Sequence, residues 1–254
     1  MALSNLSATF HTTRIDHKKK FLSSKRSILA TVFWITKAKH TMFTEVLTED
    51  ARASLAALGS SGILKDAYLA GGTALALHIG HRVSVDFDFF TQTKFDPQQV
   101  VQQLTILSMP FQLERTAPGT ILGFVGATKF SLFEYAYPLL EKLIAYDGIA
   151  LAHISDLAAM KLAAIGDRGT KRDFIDLYFI VKIHKHLSMD AVFQLYDEKF
   201  AVLHQNKLHL LKALMYFDDA ETDRMPEMLH PVSWEEVKKF FQNEVMRLSK
   251  QLLE

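Results

Sequence analysis

The chain has no cysteine in its 254 residues. Disulfides, thiolate metal sites and a cysteine nucleophile are therefore excluded, and a reducing compartment is expected. No apolar run approaches the roughly 18 residues of a membrane span. The segment "SILATVFWI" is too short for a signal peptide and lacks a small-residue cleavage pattern. There is no internal repeat and no low-complexity tract. The eleven histidines show no H-E-x-x-H or comparable spacing, which leaves His184 and His186 as solvated groups at a helix end. No G-x-S-x-G surrounds Ser84, so it is a poor hydrolase nucleophile. These absences predict a soluble, cytoplasmic protein with no membrane partner.

What is present is apolar residue in quantity, 49% of the chain, enough for one large domain or two modest ones. The formal net charge is only +1, but it is unevenly spread. Residues 1–41 hold eight of the 29 Lys and Arg and one of the 28 acids, a balance of +7. The remaining 21 bases and 27 acids give −6. Such a basic arm suits nucleic-acid contact, or it is a disordered leader ahead of a natural start at Met42.

The pattern changes along the chain. "TEDARASLAALGSSG" reads as a helix capped by Thr48 and stopped at Gly59 and Gly62. "AYLAGG" is a short buried strand ending in a glycine turn, "TALALHIG" a short helix closed by Gly80, and "SVDFDFFT" a strand. Asp96 and Pro97 open the helix "DPQQVVQQLTIL". "TILGFVGATKFSLFEYAY" reads as two strands around a turn at Gly126, with Tyr135 and Tyr137 as edge-strand packing. From Ser155 onward the pattern is helical, including the amphipathic "WEEVKKFFQNEVMRLSKQLL". The expected architecture is α+β: an α/β part over 42–150, then a helical part over 151–254.

The chemistry gathers in "YLAGGTALALHIGHRVSVDFDFFT". Asp86 and Asp88 alternate with Val85, Phe87 and Phe89, and residues i and i+2 of a strand share a face. The apolar three should enter the core. Two carboxylates on the other face repel unless a cation lies between them, and Mg²⁺ takes such oxygens together with phosphate oxygens. Upstream, Gly71 and Gly72 leave room for a ligand to approach the backbone. Thr73 opens a helix whose free N–H groups favour anions. A phosphate cradle followed by a metal-binding acid pair suits a nucleoside triphosphate. Two solvated acids on an exposed strand face would be the bland alternative.

These residues resemble the AbiEii/AbiGii toxin group of the polymerase β-like nucleotidyltransferases. The shared features are the G-G-T-A-L turn, a G-x-R-x-S lead-in filled by Gly80, Arg82 and Ser84, and the D-x-D-F-F strand. "DLAAMKLAAIGDRGTKRDFIDLYFI" is similar to the group's second signature, so the likeness covers roughly residues 60 to 185. It implies a nucleotidyltransferase-like first half. It also implies catalytic Asp86, Asp88, Lys161 and Asp173, and a nucleotide site shared by Gly71, Gly72, Thr73, Arg82, Ser84, Arg168 and Asp176. The metal would be Mg²⁺ on Asp86 and Asp88. The implied activity is nucleotidyl transfer from a nucleoside triphosphate to an acceptor hydroxyl, plausibly on tRNA or another RNA. The implied partner is a cognate antitoxin.

The second signature has its own physical reading. Lys161 and Arg168 are seven residues apart, hence on one helix face, and a cationic face suits a triphosphate or an RNA backbone. Lys161 flanks the apolar stripe Leu157, Met160, Ala164 and Ile165 and is expected to point into a cleft. Lys161→Met should then keep stability and lose triphosphate affinity. Arg172 and Asp176 are spaced to pair at i,i+4. Alternatively, Arg168, Asp173 and Asp176 tie two helices together by ion pairs. One departure stands out: the position expected to carry a third carboxylate is Ser131, and the nearest acid, Glu134, falls on the opposite strand face. That leaves a nucleotide-binding protein without turnover as the alternative function. A sugar-nucleotide transferase using D-x-D fits the helical second part less well.

Overall fold

The computed structural model describes residues 42–203 and 207–251. The basic leader, residues 1–41, lies outside the described residues, as do the last three. Helix α1 (Glu49–Ser61) begins at Thr48, whose hydroxyl accepts from the Ala51 N–H, and ends at Gly62 with φ +68°. Strand β1 (Tyr68–Ala70) runs into α2 (Gly71–Ile79), which stops at Gly80 in a left-handed conformation. Then come β2 (Phe87–Thr91) and α3 (Pro97–Leu104), the latter capped by Asp96.

Strands β3 (Phe111–Ala117), β4 (Thr120–Val125) and β5 (Thr128–Glu134) form a meander, and β6 (Ile144–Tyr146) and β7 (Ile149–Leu151) a tight hairpin. Helices follow: α4 (Ile154–Asp167), α5 (Lys171–Tyr178) with a π turn over Phe179–Ile183, and α6 (Met189–Lys199). The last are α7 (Lys207–Ala213), α8 (Asp218–Glu221) and α9 (Trp234–Gln251). No helix of the described residues is long and apolar enough to cross a membrane.

The seven strands make one mixed sheet in the order β3-β4-β5-β2-β1-β7-β6. β2 is antiparallel to β1 and parallel to β5, while β1 is parallel to β7. The short neighbouring strands β2, β1 and β7 carry much of the buried sheet, with Leu69, Phe87, Phe89 and Leu151 all fully enclosed. The hydrophobic core continues without a break from these strands into Leu157, Leu162, Phe174 and Phe241 of the helices.

Strand β2 starts later than its sequence suggests. Val83 N–H donates to the Glu227 carbonyl and Ser84 N–H to the Val46 carbonyl, so this stretch satisfies its backbone outside the sheet. Val85 is 37% exposed rather than core-facing, and only Phe87 and Phe89 of the alternating three enter the core. On α4 the stripe also differs. Met160 and Ala164 are half-buried and line a cleft, while Ala158, Lys161 and Leu162 are buried.

Candidate functional site

The site forms where β1 turns into α2. Ala70, the last residue of β1, is the register partner of Asp88, and Asp88 is opposite Ser131 of β5. A Cβ placed on Gly71 would lie 2.7 Å from Asp88 Oδ2, and Gly71 has φ +65°. Glycine is required there both by the backbone and by the neighbouring carboxylate. At Gly72 a Cβ would collide with the Arg82 guanidinium. The room expected for a ligand at these glycines is thus taken by the protein's own Asp88 and Arg82. What remains open to an anion is the first turn of α2. Its N-cap, Ala70, offers no side-chain cap, so the leading N–H groups lack a side-chain partner.

Thr73 is buried, with its hydroxyl 2.9 Å from Ser84 Oγ and donating to the Asp86 carbonyl at 2.5 Å. Both hydroxyls are spent on holding the loop before β2. Arg82 grips Asp176 of α5 with a fork: Nε donates to Oδ1 at 2.7 Å and Nη2 to Oδ2 at 2.9 Å. His81 Nε2 lies 2.7 Å from Asp176 Oδ1, and Lys161 Nζ lies 2.6 Å from Oδ2. Lys161 also donates to Asp173 Oδ1 at 2.9 Å, and Arg168 Nε and the Thr170 hydroxyl donate to Asp173 Oδ2 at 3.0 and 2.7 Å.

Burial alone would raise the Asp173 and Asp176 carboxyls. The cations outweigh it: Lys161 and Arg168 hold Asp173 at about 2, and Arg82 and Lys161 hold Asp176 well below the usual carboxylate range. Burial likewise depresses His81 despite its bond to Asp176.

Asp88 differs. Burial pushes its carboxyl up and Asp86 adds to that, while Lys161, Arg168 and the neighbouring Ser131 hydroxyl oppose it. Among the described residues no cation comes within ion-pair distance of Asp88, whereas Asp156 has one and Asp173 and Asp176 have at least two each. Asp86 lies just before the strand, 42% exposed, with Arg172 Nη1 at 3.5 Å. The expected Arg172–Asp176 pair does not form, because Asp176 is already enclosed by Arg82, His81 and Lys161.

Two openings flank this acid pair. A groove of about 370 Å³ is lined by Ser84, Asp86, Arg172 and Arg224 among others. A cleft of about 520 Å³ brings together Gly71, Asp88, Lys161, Arg168 and Asp173. Its other side is aromatic, with Phe90, Phe133, Tyr135 and Tyr137. Of the residues singled out in the sequence, Gly71, Asp88, Lys161, Arg168 and Asp173 border the cleft. Arg82, Ser84 and Asp86 border the groove. Thr73 and Asp176 are buried supports.

Lys161 is neither solvated nor free; both of its bonds go to buried acids. Glu134 is exposed, its register partner is Thr91, and Ser131 holds the position beside Asp88. His184 is half-buried rather than solvated, and its ring stacks on that of His186 at 5.6 Å. Sequence reading missed His81, which carries no motif, and the role of Arg172, visible only as a charge in R-D-x-x-D.

Comparison with known proteins gives these residues a family. The sequence model of the family described as "Nucleotidyl transferase AbiEii toxin, Type IV TA system" matches residues 54–109 and 137–250. An uncharacterised protein of Aquifex aeolicus is 38% identical over 203 residues, which are 78% of this chain and 96% of that protein. Among solved structures, JHP933 from Helicobacter pylori superposes with a TM-score of 0.47 at 18% identity, covering 81% of this chain and 97% of that one. The nucleotidyltransferase toxin MenT4 of Mycobacterium tuberculosis does so with a TM-score of 0.47 at 14% identity, covering 78% and 86%. The chain belongs to the AbiEii family of nucleotidyltransferase toxins, and its class is that of a transferase. Membership implies a nucleotide substrate and an antitoxin partner.

Proposed function

We propose that the chain is a cytoplasmic, Mg²⁺-dependent enzyme that moves a nucleotidyl group from a nucleoside triphosphate to an acceptor hydroxyl on RNA, with tRNA as the first candidate. The observation that carries this reading is Asp88, a half-buried carboxylate without an ion-pair partner among the described residues, beside Asp86 and beside the uncapped start of α2. Burying a carboxylate unpaired is costly. A divalent cation shared with Asp86 removes that cost. Among the described residues no three His, Asp or Glu gather as a metal cluster. Two carboxylates alone suit Mg²⁺, which completes its octahedron with water and substrate phosphate oxygens.

When bound, the ion neutralises charge on the triphosphate and polarises the phosphorus under attack. The chain's own residues do the rest. The N–H groups of Gly71, Gly72 and Thr73 orient phosphate oxygens. Lys161 and Arg168, anchored on Asp173, face the cleft with positive potential that favours the leaving pyrophosphate. Arg82 and Asp176, with Thr73 and Ser84, fix the loop that carries Asp86. Asp173 acts here by holding both cations, which is a positioning role.

Calorimetric titration with a nucleoside triphosphate in the presence and absence of Mg²⁺ tests the reading. Asp88→Asn is expected to abolish the Mg²⁺-dependent part while keeping the fold; undiminished binding in that variant would overturn the metal assignment. A second reading, binding without turnover, is favoured by Ser131, a hydroxyl where a third carboxylate would activate the acceptor. Incubating the protein with labelled triphosphates and bulk tRNA separates the two: label on RNA supports transfer, and tight binding without label supports the second.

A further inference from the structure

We propose that the aromatic side of the cleft is the nucleobase subsite, and that it holds the base by stacking rather than by reading its edge. This rests on the nucleotide reading of the cleft given above. Strand alternation sets the layout. Asp88 and Phe90 share one face of β2, and Ser131 and Phe133 share one face of β5, with Tyr135 just past its end. The register pairs Asp88 with Ser131 and Phe90 with Phe133, so a row of rings lies one pleat beyond the carboxylate.

That step is two residues, about 6.6 Å along the strand, which is the span of a ribose between its 5′-phosphate and its base. The direction is also right. Asp88 pairs with Ala70 at the start of α2, and Phe90 pairs with Tyr68, away from that helix. Phosphates held by the first turn of α2 therefore send the base toward the rings.

The rings form a continuous surface. Centroids are 5.5 Å apart for Phe90 and Phe133, 5.0 Å for Phe90 and Tyr135, and 4.8 Å for Tyr135 and Tyr137. All four are half-buried and line the cleft, and the buried Phe200, which packs against Tyr137 at 4.9 Å, borders it as well. Apart from the tyrosine hydroxyls and the exposed Glu134, this end offers little to hydrogen-bond a base edge. Stacking is tolerant of sequence because every base has a π face.

The test uses the full chain with Mg²⁺ and compares the four ribonucleoside triphosphates with inorganic tripolyphosphate by titration. The parent should bind the four nucleotides within about tenfold of one another. Phe133→Leu and Tyr137→Leu should weaken nucleotide binding about 5- to 150-fold, the range of one lost stacking contact. They should leave tripolyphosphate binding unchanged, and Tyr137→Phe should behave as the parent. Melting curves of the variants check that they fold. Leucine variants that bind nucleotides as the parent does, or that lose tripolyphosphate in parallel, overturn the subsite alone. A parent preference of more than about 100-fold for one base overturns stacking as the mode of recognition. A parent that binds neither nucleotide nor tripolyphosphate overturns the nucleotide reading of the cleft, and the subsite with it.

Discussion

Asp88 and Asp173 face the same cleft, and their surroundings push them in opposite directions. Asp173, with Lys161 and Arg168 against it, is held at about 2 from an ordinary 3.8. A lowered carboxyl contributes stability above its ordinary pKa and loses it as pH falls through the folded value. The contribution is about 2 kcal/mol. The acid limb of the stability curve should therefore fall between about pH 4 and pH 2, and Asp173→Asn should flatten it while lowering stability at pH 7. Denaturant titrations across that range measure both. Asp88 has the reverse sign: its raised carboxyl favours the fold at low pH, and that benefit is lost as pH rises. Asp88→Asn should consequently hold or raise the melting temperature near neutrality even as Mg²⁺-dependent binding disappears. A marked fall in melting temperature would show that the carboxylate is structurally required.

At the scale of elements, α4 and α5 are joined by charge as much as by apolar packing. Lys161 is buried in α4, and both of its partners, Asp173 and Asp176, are on α5. Removing one member of a buried pair leaves an uncompensated charge and costs about 3–5 kcal/mol. Lys161→Met should therefore be destabilising by that amount, in contrast to the neutral effect its place beside an apolar stripe suggests. A denaturant midpoint unchanged from the parent would show that the ammonium is dispensable to the fold. Loss of triphosphate affinity in this variant is informative only where it remains folded. Arg168 is a better probe of phosphate contact, since its side chain is 65% exposed and less of the fold depends on it.

Over the whole molecule, two buried helix carboxylates, Asp176 and Asp156, tie the sheet region to the helices. Arg82, just before β2, holds Asp176 of α5. Lys199, at the end of α6, donates to Asp156 Oδ1 and to the Pro138 carbonyl, both at 2.6 Å. Asp156 in turn accepts from the Leu140 and Glu141 N–H groups, so one carboxylate fixes the loop after β5. That loop carries Tyr137, and Lys199 also lies over the Tyr135 ring. Lys199→Met should cost about 3–5 kcal/mol and lower the denaturant midpoint with little change in slope. Nucleotide affinity should fall as well, because the aromatic side of the cleft loses its anchor. Retained stability would show that the loop is held by packing alone.

The sequence by itself determined the parts that local chemistry controls. Thr48, Asp96, Gly62 and Gly80 mark helix ends because caps and left-handed turns are short-range requirements. The alternation in "DFDFF" put Phe87 and Phe89 inside because a strand has period two. The G-G-T turn and the D-x-D strand come together at the cleft, and alternation separates Glu134 from Ser131, but only the pairing of β2 with β5 sets Ser131 beside Asp88. Strands β3, β6 and β7 were not legible: β3 is largely exposed, and β6 and β7 have three residues each, too few to show a period.

Only the tertiary structure decided which charges meet. Nothing local distinguishes Arg82 from Arg172 as the partner of Asp176, since the winning contact spans 94 residues. The same holds for the space at Gly71 and Gly72, filled by side chains from other elements. It holds too for Asp88, left without an ion-pair partner among the described residues because packing assigned the nearby cations to Asp173 and Asp176.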